Sequence, residues 1–262
     1  HKGLYREKIY QRSPSYSSMA RVEEGKPVIE NAFRLRAEAL EKDPRWAGSM
    51  DLGISEKTIQ TRAEMMLAVD ESLGRIMAEL QKLGSHENTV VIFTSDNGYF
   101  FGEHGFSLER RMPYEESVWA RLIVHHPGVP EPAKTVDGLV LSIDLSATAL
   151  DIAGVKKPHS IQGKSLLPLI SGKLDQIRSS GLIEYYSNEN PFPWTAQLDY
   201  RVVVTDQFKY IKWLRFDSAE LYDLRNDPYE LQNLIEEPSH KERVEQMRQE
   251  LQKLQLEALD LN

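Results

Sequence analysis

The chain has 262 residues, of which 40% are hydrophobic and 27% charged, a composition that argues against general disorder. Its net charge of -8 and its scattered basic residues argue against a nucleic-acid-binding protein. The absence of cysteine excludes disulfides and thiolate chemistry, and no apolar run reaches the length of a membrane span.

The first 84 residues predict helices as their regular secondary structure. Residues 1–57 are polar, contain Pro and Gly, and predict a loop-rich segment with a helix near Ile29–Leu40. Between Thr58 and Leu83, apolar residues recur every three or four positions, as in a helix that buries one face. Gly84 supplies a stop signal. The sequence therefore predicts a long amphipathic helix in front of the first strand.

Two short apolar runs then predict strands. Val90–Thr94 has the composition of a buried parallel strand, and Leu122–Val124 predicts a second strand. Ser142–Ala153 predicts a helix that Gly154 ends. Helices and strands in this order favour an open α/β sheet, whose ligands bind at the carboxyl edge of the strands.

Beyond Gly172 the pattern changes to closely spaced short strands, which favour a small antiparallel sheet. The predicted strands are Gly181–Tyr186, Arg201–Thr205, Phe208–Leu214 and Glu220–Asp223. Ser239–Leu259 has apolar residues at helical spacing and should pack on that sheet. We therefore predict an α/β protein with part of a mainly parallel sheet flanked by helices, followed by a small antiparallel sheet with a C-terminal helix.

The best candidate site follows the strand Val90–Thr94, where Asp96 and Asn97 stand side by side before Gly98. Oxygen ligands at the end of a strand suit a hard divalent cation. Asn-Gly is also a favoured two-residue turn, and this stretch alone leaves the two interpretations equal. A plain hairpin needs none of the motifs that follow. These are Gly102-Glu103-His104-Gly105, Arg110-Arg111, Tyr114-Glu115-Glu116-Ser117 and His126-Pro127-Gly128.

This ordered series resembles the sulfatase family of the alkaline-phosphatase-like superfamily. Its members have TSDNG, then GEHG, then a basic residue shortly before YEES, then an apolar strand that ends in Pro-Gly. Further matches occur at Leu67–Arg75, Ile143–Gly154, Gln162–Leu166 and Glu220–Leu231. The resemblance implies that residues 1–172 are the C-terminal portion of the catalytic α/β domain and that residues 173–262 are a C-terminal α+β subdomain.

The nucleophile of the family is absent from this sequence. It is a formylglycine made from Cys or Ser in a C/S-x-P-x-R motif, beside an Asp pair that completes the metal site. The chain has no cysteine and no such motif, so the resemblance implies a formylglycine upstream of His1. We expect the full-length protein to be a metal-dependent sulfatase, a sulfuric ester hydrolase. We expect this chain alone to be inactive.

The resemblance also implies roles for individual residues. Asp96 and Asn97 match the metal ligands of the family, most often for calcium. Arg110 lies four residues before Tyr114, where most members have a lysine that contacts the sulfate and the leaving group. Arginine can bind a sulfate through two hydrogen bonds but cannot readily donate a proton. Arg111 is the neighbouring alternative for the same contact.

Two further residues are candidates with an open alternative. His104 either contacts substrate or relays a proton, or it holds its glycine-flanked loop, and the sequence leaves these interpretations equal. Trp194 is the candidate platform for a sugar ring among aromatic residues that otherwise suit packing of the sheet.

Three functions therefore remain open for the whole protein. The leading one is hydrolysis of a sulfated small molecule or sulfated glycan, with no nucleic acid or membrane as partner. A phosphodiesterase or phosphonate monoester hydrolase of the same superfamily is the nearest enzymatic alternative. A non-catalytic binding or scaffold protein that kept the fold is the third. The resemblance implies an exported setting, whether periplasmic, extracellular or lysosome-like.

Overall fold

The protein is described by a computed structural model over residues 1–16, 25–44, 55–106, 110–129, 135–187 and 193–259. The chain forms two compact units. Unit 1 comprises residues 1–23 and 34–130, and unit 2 comprises residues 24–33 and 131–262. The boundary that we predicted near residue 172 marks the change to antiparallel strands and stays a prediction. The mixed α/β class with a small antiparallel sheet and a C-terminal helix is confirmed.

Helix α1 spans Pro27–Lys42 and includes the predicted helix Ile29–Leu40. Helix α2 spans Glu56–Lys82, close to the predicted bounds. Ser55 caps α2, because its hydroxyl oxygen accepts a hydrogen bond from the Thr58 backbone nitrogen at 3.2 Å.

The apolar face of α2 is not covered as we expected. Met66 is 56% exposed and Ile76 is 55% exposed, while Ile59 is the buried residue of this helix. Periodicity predicts that a helix has an apolar face, but it does not predict what packs against that face. The helix was predicted correctly and the burial of its face was not.

The two strands of unit 1 form an antiparallel pair. Strand β1 is Val91–Thr94, strand β2 is Leu122–His125, and Thr94 lies opposite Leu122. We expected β1 to belong to a mainly parallel sheet, yet the part of unit 1 that the structure describes shows only this pair. The chain leaves β1 and enters β2 at the same end, with the single-turn helix α3 (Glu115–Val118) between them. A parallel neighbour instead needs a crossover to the opposite end, usually through a helix along the sheet.

Unit 2 is built on a four-stranded antiparallel sheet in the order β3-β4-β5-β6. The strands are β3 (Ser180–Tyr185), β4 (Tyr200–Thr205), β5 (Phe208–Trp213) and β6 (Ser218–Asp223). Each begins and ends within two residues of its predicted bounds. The closely spaced short runs of the sequence therefore predicted these strands well.

The C-terminal helix α6, Lys241–Leu259, packs on one face of this sheet. Its buried residues Val244, Met247 and Leu251 join a core cluster with residues of three strands. The strand residues of the cluster are Val203, Phe208, Tyr210 and Leu221. The predicted packing of the terminal helix on the sheet is confirmed.

Two shorter helices complete unit 2, α4 (Asp144–Ile152) and α5 (Leu167–Ile170). Asp144 at the start of α4 is fully buried and forms an ion pair with Arg178. Its carboxylate also accepts hydrogen bonds from the backbone nitrogens of Leu141 and Lys164, both at 2.8 Å. Among the residues with described positions, no helix combines the length and hydropathy that a membrane span requires.

Candidate active site

Asp96 and Asn97 lie in the turn that follows β1, where the side chain of Asp96 is exposed and that of Asn97 is half-buried. The Asn97 backbone nitrogen donates to Asp96 Oδ1 at 2.9 Å, and Asn97 Nδ2 donates to the Gly98 carbonyl at 2.7 Å. Within the described residues, Asp96 Oδ2 and Asn97 Oδ1 accept no hydrogen bond. The turn thus offers one carboxylate oxygen and one amide oxygen, which are the ligand types that calcium prefers.

Gly98 holds this turn against α3. Its backbone nitrogen donates to the Ser117 carbonyl at 2.7 Å. A Cβ atom at position 98 would lie 2.0 Å from the Glu116 carbonyl oxygen, so this approach requires glycine. The buried Ser117 in turn donates its hydroxyl to the Arg110 carbonyl. The strand end, the start of α3 and the basic loop are therefore joined through main-chain contacts.

The two basic candidates differ in exposure. The side chain of Arg110 is exposed and that of Arg111 is half-buried, while residues 107–109 lie outside the described part of the chain. Tyr114 and Ser117 are buried, and the Ser117 contact holds the Arg110 main chain. These contacts join the basic loop to the start of α3.

His104 is buried in unit 1 and adopts a left-handed backbone conformation with a φ of 51°. Its Nε2 lies 3.2 Å from Glu116 Oε2, and its ring stacks on Tyr114 with 4.3 Å between the ring centroids. Its backbone nitrogen donates to the Ser15 carbonyl at 2.7 Å. These contacts favour the loop-holding interpretation of His104, while its catalytic role stays a prediction.

Glu116 connects three segments of unit 1. Ser15 Oγ donates to Glu116 Oε1 at 2.7 Å, and His104 contacts the other carboxylate oxygen. Burial opposes ionisation, but the hydrogen bonds from His104 and Ser15 hold the pKa of Glu116 below its ordinary value. The carboxylate is therefore ionised at neutral pH and anchors the His104 loop to α3.

Trp194 belongs to unit 2, in the short 3-10 helix Pro193–Thr195. Only 7% of this residue is exposed. That burial favours packing over the sugar platform that we expected, although binding of a sugar by Trp194 stays a prediction.

Sequence reasoning missed a cluster of aromatic and arginine side chains in unit 1. Its members, the aromatic-arginine cluster, are Tyr10, Arg12, Arg62, Tyr99 and Phe101. Tyr99 and Phe101 alternate just after Gly98, which was an available signal. Arg62 lies on α2 and had no local signal, because only the fold brings it to these rings.

Two family models match the chain. The model described as "Sulfatase" matches residues 11–155, and the model described as "N-sulphoglucosamine sulphohydrolase, C-terminal" matches residues 102–257. Each covers more than half of the chain. The chain belongs to the sulfatase family.

Relatives with assigned names are sulfatases. An N-acetylglucosamine-6-O-sulfatase from Bacteroides thetaiotaomicron is 34% identical over 199 residues, which are 74% of this chain and 35% of the relative. Human N-acetylglucosamine-6-sulfatase is 35% identical over 132 residues, which are 50% of this chain and 24% of the relative. The chain thus spans about a third or less of the length of these relatives.

Solved structures give the same fold. A protein in complex with its substrate D-glucosamine-2-N,6-O-disulfate has a TM-score of 0.72 at 28% identity, over 84% of this chain and 46% of that one. A phosphonate monoester hydrolase from Silicibacter pomeroyi has a TM-score of 0.68 at 24% identity, over 79% of this chain and 43% of that one. The second likeness shows the fold alone.

Proposed function

We propose that the whole protein hydrolyses sulfate esters and that its substrates are sulfated glucosamine units of a glycan. Family membership supports the reaction, and the relatives named for N-acetylglucosamine 6-sulfate support the substrate. The observation that carries the proposal is the turn after β1. The resemblance matches Asp96 and Asn97 to the family's metal ligands, and each has an oxygen that accepts no hydrogen bond within the described residues.

A divalent metal is implied by the family, and the donor set of this turn fits one. Asp96 would contribute a charged oxygen ligand and Asn97 a neutral one, a combination typical of calcium sites. When bound, the cation supplies positive charge that stabilises the negative charge developing on the sulfate oxygens. Gly98, through its contacts with Glu116 and Ser117, keeps both ligands at the end of β1.

The remaining residues of the proposed site bind and orient. Arg110 donates to the sulfate oxygens from its exposed position, because a guanidinium can make two parallel hydrogen bonds to a tetrahedral oxyanion. Arg111 is the alternative donor. His104 and Glu116 hold the loop that precedes Arg110. The resemblance implies a formylglycine as the attacking group, and we propose no residue of this sequence for that role.

The decisive experiment replaces one metal ligand in the full-length protein. We expect Asp96→Ala to remove most of the bound metal, because Asp96 is the anionic ligand that this turn provides. The value of kcat/KM for an aryl sulfate and for glucosamine 6-sulfate should fall by about 100-fold or more. Elemental analysis and steady-state kinetics provide the measurements. Asp70→Ala is the matched control, because Asp70 is an exposed carboxylate on α2. Full metal content and activity in Asp96→Ala would show that the ligands lie elsewhere.

The enzymatic alternative is hydrolysis of phosphonate monoesters or phosphodiesters. The likeness to the Silicibacter pomeroyi protein favours this alternative only at the level of fold. A phenylphosphonate monoester assayed beside the sulfate esters decides between them. We expect a higher kcat/KM for the sulfate ester. No turnover of either ester class by metal-loaded full-length protein would favour the non-catalytic alternative.

We propose that the whole protein is exported from the cytosol. One relative, from Drosophila melanogaster, is named as an extracellular sulfatase homolog and is 34% identical over 119 residues, which are 45% of this chain and 11% of the relative. Fractionation of the native host, with immunodetection of the protein, tests this proposal. Detection in the cytosolic fraction alone would contradict it.

A further inference from the structure

Three aromatic rings of the aromatic-arginine cluster lie in a row beside the turn that holds Asp96 and Asn97. The ring centroids of Tyr99 and Phe101 are 5.3 Å apart, and those of Phe101 and Tyr10 are 6.0 Å apart. Tyr99 follows Asn97 by two residues, so their Cα atoms lie within about 7 Å of each other. Tyr99, at one end of the row, is therefore close along the main chain to the proposed metal ligands.

Arg62 of α2 lies over this row. Its guanidinium carbon is 4.1 Å from the centroid of Tyr99 and 5.4 Å from that of Phe101. Its Nη2 donates to the Tyr99 hydroxyl at 3.0 Å. These contacts hold a planar cation in one orientation against the aromatic surface.

The charge of Arg62 has no counter-ion among the described residues. No carboxylate of a described residue lies within ion-pair distance of Arg62, and its side-chain hydrogen bond to these residues goes to the Tyr99 hydroxyl. A guanidinium has five N–H donors, so most of them stay available to a ligand. The side chain is half-buried, so its electrostatic attraction for a bound anion is stronger than in bulk water.

The other arginine of the cluster provides a contrast. Arg12 lies over Tyr10 at 5.3 Å, donates to the Phe101 carbonyl at 2.6 Å, and has Glu56 at 3.5 Å. Its contacts to the main chain and to a carboxylate serve to fix the segment around residue 12. Within the described part of the chain Arg62 has no such contact, and it lies next to Tyr99, the ring closest in sequence to Asn97.

We propose that Arg62 and Tyr99 form a subsite for a second anionic group of the substrate, a sulfate or carboxylate on the sugar whose ester is cleaved or on its neighbour. This inference rests on the proposed function. Arg62 binds the oxyanion through two N–H donors, and Tyr99 keeps the guanidinium in position. The full-length protein consequently prefers sugars with two anionic groups to sugars with one.

The test compares substrates that differ by one anionic group. In the full-length protein, Arg62→Gln should lower kcat/KM for D-glucosamine-2-N,6-O-disulfate by roughly 10- to 100-fold, mostly through KM, since a charged hydrogen-bonded contact is lost. The value for glucosamine 6-sulfate should change about twofold or less. Arg62→Lys, which keeps the charge but not the planar fork, should recover part of the loss.

Arg75→Gln is the matched control. Arg75 is exposed on the same helix and donates to Ser72 Oγ at 3.0 Å, so this variant makes the same charge change away from the rings. It should match the wild type on both substrates. Equal losses on both substrates in Arg62→Gln would assign Arg62 a structural role, and no loss on either would also overturn the subsite.

A binding measurement separates this inference from the proposed function. Should the wild-type protein hydrolyse no sulfate ester, titration calorimetry with the same disulfate still tests the subsite. Arg62→Gln should then weaken the binding of the disulfate at least 10-fold relative to Arg75→Gln. Equal affinities of the two variants would overturn the subsite whether or not the protein is a sulfatase.

Discussion

The two units differ in how completely they bury their own surfaces. In unit 2 the adjacent residues Val202 and Val203 of β4 point to opposite faces of the sheet and are both fully buried. In unit 1 Ile123 of β2 is 63% exposed, as is more than half of Met66 on α2. Unit 2 therefore contains the well-packed core, while unit 1 displays apolar surface.

The charged residues show the same contrast. Lys209 and Glu230 of unit 2 are both fully buried and pair at 2.8 Å. Asp96 and Arg110, the proposed site residues of unit 1, are exposed. Buried charges must be paired, whereas groups that bind ligands must keep donors and acceptors available. We therefore expect the buried Lys209–Glu230 pair to matter mainly for stability, and Asp96 and Arg110 to matter for the proposed chemistry.

The largest effect should come from breaking the buried ion pair of unit 2. Lys209→Met leaves the carboxylate of Glu230 buried without this partner, and we expect the free energy of unfolding to fall by about 3–5 kcal/mol. Lys82→Met is the control, because Lys82 pairs with Glu79 on the surface of α2 at 2.9 Å. That variant should match the wild type in urea denaturation. Similar losses in both variants would contradict the contrast between the units.

A pair of methionines tests the difference in packing. Met247 of α6 is 3% exposed and Met66 of α2 is 56% exposed. Met247→Ala should lower the free energy of unfolding by about 2–5 kcal/mol, because it leaves a cavity in the core. Met66→Ala should change it by about 0.5 kcal/mol or less. If both variants lost equal stability in urea denaturation, α2 would be packed as tightly as α6.

The pH dependence of unit 1 should come in part from Glu116. Glu116→Gln should cost about 1.5–3 kcal/mol at neutral pH, since hydrogen bonds to a charged group are lost. The pKa of Glu116 is lowered in the folded protein, so its contribution is present above the ordinary value of 4.5 and is lost as the pH falls through the folded pKa. Melting temperatures of both proteins between neutral and acidic pH should converge. A constant difference would show that the carboxylate charge is not the cause.

The smallest loss of stability in this series should come from replacing a glycine, and each unit offers one glycine for comparison. A Cβ atom at Gly98 or at Gly163 would lie 2.0 Å from a carbonyl oxygen, of Glu116 and Ile143 respectively. Gly98→Ala and Gly163→Ala should each cost about 1–3 kcal/mol through overpacking. In the full-length protein only Gly98→Ala should also reduce metal content, because Gly98 positions the turn of Asp96 and Asn97. Equal metal loss in both variants would show that metal binding does not depend specifically on this turn.

The sequence by itself determined the elements whose information is local. The strands of unit 2 follow from short, closely spaced runs of strand-forming residues, and α2 and α6 follow from apolar residues at helical spacing. The position of Asp96 and Asn97 after a strand was also predictable from the sequence, because the strand, the polar pair and the glycine are contiguous in the chain. The order of the motifs along the chain was by itself enough to indicate the family.

Tertiary structure alone decided the features that join distant parts of the chain. It set β1 and β2 antiparallel, left Met66 and Ile76 of α2 exposed, buried His104 against Glu116, and brought Arg62 over Tyr99. Periodicity states which face of an element is apolar, but not which partner covers it or in which direction a neighbouring strand runs. Those outcomes depend on contacts between residues far apart in sequence, which no local pattern encodes.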